Sequence, residues 1–219
     1  MTWNLRTGWA LGGLALMLVT LKLLGLWTDV LWFREVGYEG RFWKELWTRV
    51  FLFLSVGGAA WLFVFANALV IRHAIHKYLK AGAPRFSLLT WAVSILIGLI
   101  FGSLAANYWQ EVLLFLNRTP FNLADPVFGR DLSFYVFVMP LFDPISSLVF
   151  GLAFIMLLLM VASYAPMWIR LGLRVRGEQA GLAWYAFSHA SVMGIILVLV
   201  AAFNTWLARF RLLYSERGA

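Results

Sequence analysis

Five long apolar runs, separated by short polar connectors, divide this chain of 219 residues. The runs cover residues 8–27, 46–71, 88–107, 145–165 and 183–207. Each run approaches or exceeds the ~20 residues that a helix needs to cross a hydrocarbon layer ~30 Å thick. The pattern predicts an all-α fold: a polytopic transmembrane helix bundle of about five spanning helices with interfacial aromatic-rich segments, forming a single transmembrane domain over residues 1–219.

Composition points to the same class of protein. Hydrophobic residues make up 63% of the chain and charged residues 13%, whereas charged residues make up roughly a quarter of a soluble domain. The net charge is +8, but most of the basic residues lie in the connectors, which is typical of membrane topology rather than of a nucleic-acid surface. We therefore predict the lipid bilayer, and not nucleic acid, as a partner of this chain.

The connector between the second and third runs indicates how the chain is threaded. Residues 72–87 include Arg72, Lys77, Lys80 and Arg85 but no acidic residue. Such an excess of positive charge is typical of cytoplasmic connectors. Counted over the whole chain, the segments outside the runs carry eight basic residues on each side, so the total does not decide the orientation and this most strongly biased connector does. We predict a multi-pass protein of the cell membrane with a cytoplasmic amino terminus and an external carboxyl terminus.

Residues 117–144 interrupt the alternation of runs and connectors. They contain four of the six prolines and several aromatic residues, so they are too irregular for one spanning helix and too apolar for a solvated loop. We predict an external re-entrant or interfacial segment that lies across the mouth of the bundle with its aromatic side chains pointing inward. Asp125 and Pro126 favour the start of a turn, which Gly129 permits. Asp131 is expected to cap the next piece.

Few residues suggest catalytic or metal chemistry. Asp125 and Asp131 offer carboxylates to a divalent cation, but two acids in a short loop rarely complete a coordination shell, so capping is the preferred interpretation. His73 and His76 stand one helical turn apart, yet no carboxylate or third histidine accompanies them. Cysteine is absent, and no nucleophile elbow, zinc-protease motif, phosphate-binding loop or dinucleotide fingerprint occurs. We predict no enzyme, no cofactor and no metal site.

Within the spans, small and polar residues suggest two different roles. Gly98, Gly102 and Ala106 recur every four residues, a spacing that favours close packing against another helix. The candidates for a polar path through the bundle are Lys22, Asn67, Asn107, His189 and Asn204. We expect Lys22 to extend to the interface and His189 to form a hydrogen bond between helices.

Two classes of function remain open. The favoured one is a structural or accessory membrane protein that docks lipids or partner subunits, because no charged path crosses the spans. The alternative is a transporter or channel component, which would require polar side chains along one common face.

Three stretches resemble the signatures of a known family. They are WFREVGY at residues 32–38, DPVFGRDLSFYVFVMP at 125–140 and LLYSERG at 212–218. They are similar to those of Uncharacterised Protein Family 0182, a family of large bacterial multi-pass membrane proteins. The residues of the second stretch that we single out as signature positions are Asp125, Pro126, Phe128, Gly129, Asp131, Phe134, Tyr135 and Pro140.

The resemblance implies more than the residues themselves show. It implies an inside amino terminus and, in the family, further spans and a large external domain beyond the third stretch. This chain would then correspond to the amino-terminal membrane part only, as a fragment, a truncated gene product or a separate domain. The carboxyl-terminal part of a longer family member is accordingly a candidate partner, and the resemblance supplies no catalytic or binding residues.

Overall fold

The computed structural model describes residues 5–79, 88–171 and 178–214. Six α-helices occur in this part of the chain: α1 (Leu5–Glu35), α2 (Glu39–Leu79), α3 (Leu88–Ala106), α4 (Trp109–Leu116), α5 (Met139–Leu171) and α6 (Glu178–Arg211). A π-helix at Phe134–Val138 leads into α5, and a 3₁₀ turn at Leu212–Tyr214 follows α6. The described residues contain no strand, only an isolated bridge between Ala124 and Asp131. The predicted all-α class is confirmed.

Four helices are long and apolar enough to cross a membrane. Among the described residues these candidate spans are Glu39–Tyr78, Leu88–Ala106, Phe134–Ala165 and Ala180–Arg211. They contain most of the second to fifth predicted runs. The first predicted run, residues 8–27, falls within α1, several of whose side chains lie outside the described residues. The described helices are thus compatible with membrane insertion.

The helices extend further than the apolar runs do. Residues 28–45, which separate the first two predicted runs, form the end of α1, a short turn and the start of α2. Gly37 adopts a positive φ of 76° in this turn, a conformation that costs glycine little. Similarly, α5 begins at Met139, six residues before the predicted start at Ile145. Charged and aromatic side chains at the ends of a spanning helix can continue it beyond the hydrocarbon, so hydropathy marks the span and not the helix.

The chain divides into two compact units, Met1–Trp47 and Thr48–Ala219. Within the first unit, the rings of Phe33 and Phe42 approach to 5.5 Å between centroids, which joins α1 to the start of α2. Within the second unit, α5 and α6 form the most extensive helix pair. The buried core of the second unit includes Ala60, Val64, Ala74, Phe101, Met156, Met160 and Met193. The three methionines of this core are flexible side chains that fill irregular gaps between helices.

Helices α2 and α3 meet backbone to backbone. A Cβ atom added to Gly102 would lie 2.6 Å from the carbonyl oxygen of Phe53, and one added to Gly57 would lie 2.7 Å from the carbonyl oxygen of Gly98. Both distances are shorter than van der Waals contact, so only glycine fits at these positions without moving a helix. The predicted packing face contributes Gly98 and Gly102 to this contact.

Candidate functional site

The segment at residues 117–138, here called the cap, is organised around the carboxylate of Asp125. Its Oδ1 accepts hydrogen bonds from the backbone N–H groups of Val127 at 2.9 Å and Phe128 at 2.6 Å. Its Oδ2 accepts from the N–H of Arg130 at 3.0 Å and from the hydroxyl of Tyr135 at 2.7 Å. Asp125 is only 4% exposed. A buried carboxylate with four donors holds the surrounding backbone in one conformation.

The backbone around Asp125 closes a tight turn. The N–H of Gly129 donates to the carbonyl of Asp125 at 3.0 Å, and the N–H of Asp125 donates to the carbonyl of Arg130 at 2.8 Å. Gly129 has a φ of +63°, in the left-handed region that favours glycine. This is the turn that the Asp-Pro pair and the following glycine predict.

Asp131 connects the start of the cap to its helical end. Its Oδ1 accepts hydrogen bonds from the N–H groups of Ser133 at 2.7 Å and Phe121 at 3.2 Å. Next to it, the N–H of Leu132 donates to the carbonyl of Leu123 at 2.9 Å. The carboxylate therefore caps the helical turn that leads into the π-helix, through Ser133. It also fixes the backbone at the start of the cap, through Phe121.

These hydrogen bonds lower the pKa of both carboxyl groups. For Asp125, burial raises the pKa, but the donors on Phe128, Tyr135, Arg130 and Val127 outweigh burial and bring it to about 2. For Asp131, the hydrogen bonds from the side chain and backbone of Ser133 lower the pKa to about 2, against a smaller opposing effect of burial. Both groups are ionised at neutral pH and accept hydrogen bonds only.

The cap should loosen in acid. Because the folded pKa of both carboxyl groups lies below the ordinary value of 3.8, their stabilisation is complete above that value and is lost as the pH falls through about 2. We expect pepsin to cleave the cap slowly at pH 4 and much faster near pH 2, relative to an unstructured peptide of the same sequence. An unchanged ratio across this range would show that the two carboxylates do not hold the loop.

A π-helix joins the cap to α5. Pro140, the second residue of α5, has no N–H to donate, and its ring crowds the carbonyl of Val136 four residues earlier. The wider turn of the π-helix at Phe134–Val138 relieves this crowding. As a result residues 134–144, which the sequence assigned to a separate external segment, continue directly into the spanning helix.

The inner side of the cap packs on the end of α6. Tyr135, Met139, Leu207 and Phe210 form a second buried core. The ring of Phe210 lies in edge contact with Phe128 at 5.0 Å and Phe134 at 5.1 Å between centroids. The aromatic residues at signature positions therefore anchor the cap, as the prediction of inward-pointing rings requires.

An ion pair links the same two helix ends. Arg211 in the last turn of α6 contacts the carboxylate of Asp143 in the second turn of α5. Both side chains are exposed, and exposed pairs contribute little to stability. The aromatic packing, and not this pair, accounts for the attachment of the cap.

The outer side of the cap exposes apolar side chains. They are Phe121, Leu123, Val127, Leu132 and Val136, and their exposed fractions range from 37% to 66%. We call this set the outer face of the cap. The hydrogen bond between Leu123 and Leu132 brings two of its members together on neighbouring backbone segments. Sequence reasoning missed this face because it assigned a direction only to the aromatic side chains of the segment, of which Phe121 alone belongs to the face.

The cap offers little room for a cation. Both oxygens of Asp125 already accept two hydrogen bonds each, so a bound metal would have to displace backbone donors. In the part of the chain that the structure describes, no cluster of three or more histidine, aspartate or glutamate side chains could hold a metal ion. His73 and His76 are both exposed on α2.

Among the polar residues of the spans, the structure brings two together. His189 on α6 forms a hydrogen bond of 2.9 Å from its Nε2 to Oδ1 of Asn67 on α2. This confirms the expected hydrogen bond between helices. Lys22 and Asn107 are exposed and Asn204 is half-buried.

Of the predicted packing residues, Ala106 is half-buried, whereas its neighbour Ala105 is buried, so the packing face continues through Ala105.

Comparison with known proteins assigns the family. The profile of the uncharacterised protein family UPF0182 matches residues 7–219. A UPF0182 protein of Mycobacterium avium (strain 104) is 33% identical over 95% of this chain, and one of Rhodococcus jostii (strain RHA1) is 34% identical over 93%. A UPF0182 protein of Synechococcus sp. (strain JA-2-3B'a(2-13)) is 32% identical over 94% of this chain.

The relatives are much longer than this chain. It spans 22% of the Mycobacterium and Rhodococcus proteins and 23% of the Synechococcus protein. No solved structure matches the chain. The profile match over nearly the whole chain and the bacterial relatives lead to one conclusion: the chain belongs to the uncharacterised protein family UPF0182.

Proposed function

We propose that this chain is a structural or accessory domain of the cell membrane, in which the helices contact lipid and the cap docks a partner subunit. In a longer family member, the partner would be the additional part of the same protein. The observation that carries this proposal is the outer face: five apolar side chains exposed on the cap, whose turn hydrogen bonds hold in place.

The loop is suited to docking because its shape is fixed before a partner binds. Asp125 and Asp131 satisfy the donors that would otherwise let the backbone rearrange. A preorganised surface loses little conformational entropy on binding. Exposed apolar side chains bordered by polar residues, here Arg118 and Arg130, are typical of interaction sites. A protein partner is favoured over lipid since fluid chains gain nothing from a fixed loop shape.

The outward surfaces of the helices support the lipid-contacting part of the proposal. Large apolar side chains are exposed along the candidate spans, among them Leu62, Leu96, Leu99, Val149, Leu158, Ile195, Val198 and Leu199. In water such a surface would aggregate, but in a bilayer lipid tails cover it.

We further propose that the amino terminus is cytoplasmic, the carboxyl terminus external and the spans five, including residues 8–27. The acid-free connector at residues 72–87 is the basis. A fluorescent protein that folds only in the cytoplasm should be bright when fused after Lys80, and an enzyme active only outside should work when fused after Ala219. The reverse pattern of these two fusions would overturn the orientation.

Purification in mild detergent tests the docking function. We expect a protein to remain bound to the wild-type chain and to be lost from the Leu123→Glu/Val127→Glu double variant, because the added charges destroy the outer face. Thr119→Glu adds a charge in the same loop without removing an apolar side chain and should retain the partner. If the double variant and wild type retain the same proteins, or lipid alone, the cap does not dock a subunit.

A second candidate function, as a transporter or channel component, is favoured by the hydrogen bond between the buried Asn67 and the half-buried His189. Polar groups inside a membrane bundle often mark a pathway. On the side of Asn67 that faces the cap, however, the next buried residues of α2 in the core are Val64 and Ala60, which are both apolar. They do not continue a polar path towards the cap. Labelling of Ala60→Cys by a membrane-impermeant thiol reagent from the cap side would favour transport, and protection of this position would favour docking.

A further inference from the structure

A series of aromatic rings leads from one end of the second unit to the half-buried His189. It begins where α2 ends and α6 begins. The ring of Tyr78 lies 6.1 Å from that of Tyr185, and Tyr185 lies 6.4 Å from the imidazole of His189, measured between centroids. His189 then contacts Asn67, which is 9% exposed. The contacts between these side chains thus extend from the helix ends to a point about two to three turns inside the bundle.

The hydrogen bonds of Asn67 determine the proton position on His189. Nδ2 of Asn67 donates to the carbonyl of Phe63 at 2.7 Å, which turns Oδ1 towards the imidazole. Oδ1 is only an acceptor, so Nε2 of His189 carries the proton. In the neutral ring Nδ1 is therefore an acceptor with a free lone pair.

Two buried polar atoms, one on α5 and one on α6, have no protein partner. Nδ1 of His189 and the hydroxyl oxygen of Tyr164 are both buried and lack a hydrogen bond within the described part of the chain. Tyr164 comes from α5 and belongs to the same core cluster as Ala186 and the adjoining Tyr185. Buried polar atoms in folded proteins are nearly always hydrogen-bonded, most simply by an internal water molecule.

We propose that α2, α5 and α6 enclose a water-binding site at Asn67, Tyr164 and His189, open to the aqueous phase at the Tyr78 end of the bundle and closed towards the cap. Water donates a hydrogen bond to Nδ1 of His189, and the Tyr164 hydroxyl takes its own water partner. The site goes beyond the docking function and does not depend on it, because the cap plays no part in it.

Water fits the site better than a metal or an apolar ligand does. A metal needs several ligands, and the described residues offer no cluster of three. An apolar ligand would leave Nδ1 and the tyrosine hydroxyl unsatisfied. The groups on α2 and α5 that belong to the site, Asn67 and Tyr164, are uncharged at neutral pH, so no ion pair competes with water for the histidine.

Cysteine labelling provides the test, since the chain has no native cysteine. In sealed vesicles, His189→Cys and Tyr185→Cys should react with a small methanethiosulfonate ethylammonium reagent about tenfold or more faster than Val192→Cys, because only a hydrated thiol ionises readily. Val192 is the matched control: it lies on the same helix and is exposed on its apolar surface. Equal, slow reaction at all three positions would overturn the proposal.

A ¹⁵N NMR measurement on the native His189 side chain tests the site even if the cysteine variants misfold. The chain has three histidines, so a His73→Asn/His76→Asn variant leaves His189 alone. Its ¹⁵N spectrum should show a neutral Nε2–H tautomer whose Nδ1 resonance is shifted by an accepted hydrogen bond. A Nδ1 resonance typical of a free lone pair would also contradict the site, whatever the labelling shows. Loss of a partner from the cap variants, in contrast, would leave both results unchanged.

Discussion

Replacing Gly57 by alanine should destabilise the bundle by about 1–3 kcal/mol, whereas the same change at the adjacent Gly58 should be neutral or slightly stabilising. At Gly57 the new methyl group would lie 2.7 Å from the carbonyl oxygen of Gly98 and 3.2 Å from the Cα of Gly102. Both are backbone atoms, so relief requires a helix to move. At Gly58 nothing lies within 4 Å of the added Cβ. Thermal unfolding in detergent measures the difference.

The bulkier Gly102→Leu should have a larger effect than Gly57→Ala, because its Cβ would lie 2.6 Å from the carbonyl oxygen of Phe53 before the rest of the side chain is placed. Gly194→Leu is the control, since Gly194 has open space around it on α6. Equal melting temperatures for Gly57→Ala and Gly58→Ala would show that α2 and α3 are not in backbone contact.

Exchanging Asp125 for asparagine should disrupt the cap, whereas the same exchange at Asp131 should be mild. Both oxygens of Asp125 accept hydrogen bonds, and an amide group in place of Oδ2 would point a donor at the fixed N–H of Arg130. At Asp131 the backbone N–H groups of Phe121 and Ser133 both donate to Oδ1, which asparagine retains. We expect Asp125→Asn to increase protease cleavage within residues 117–133 several-fold, with membrane insertion preserved.

The alanine variants show how much protease cleavage increases when each carboxylate is removed entirely. Asp125→Ala and Asp131→Ala should both increase cleavage, and Asp131→Asn should fall close to wild type. If Asp131→Asn and Asp131→Ala are equally harmful while the loop stays protease-resistant, the negative charge itself is required. The carboxylate would then act on a cation or partner rather than on the backbone.

The spans were readable from the sequence because lipid imposes one simple requirement on them: a long apolar run whose backbone bonds internally. The turn at Asp125 was readable for a similar local reason, since proline fixes φ at Pro126 and glycine permits the positive φ at Gly129. The four candidate spans of the described residues therefore match the second to fifth apolar runs, although their helices extend beyond them. Helix ends depend on interfacial side chains, which hydropathy does not record.

Contacts between distant residues were not readable in the same way. His189 was expected to bond across helices, but its partner Asn67 is 122 residues away, and only the packing of α2 on α6 selects it. The π-helix before Pro140 depends on crowding by that proline, which a periodic pattern cannot show. The outer face was hidden for a third reason: the loop alternates apolar side chains inward and outward over a few residues, without a regular period.

Photo-crosslinking from the outer face in living cells is the most direct test of the docking function. A crosslinking amino acid at Val127, which is 66% exposed, should give discrete adducts with a protein of defined mass, and one at Thr119 should give few or none. The same group at Val198, on the exposed apolar surface of α6, should give lipid adducts. If Val127 yields only lipid adducts, indistinguishable from those at Val198, the cap lies in the bilayer surface and does not dock a subunit.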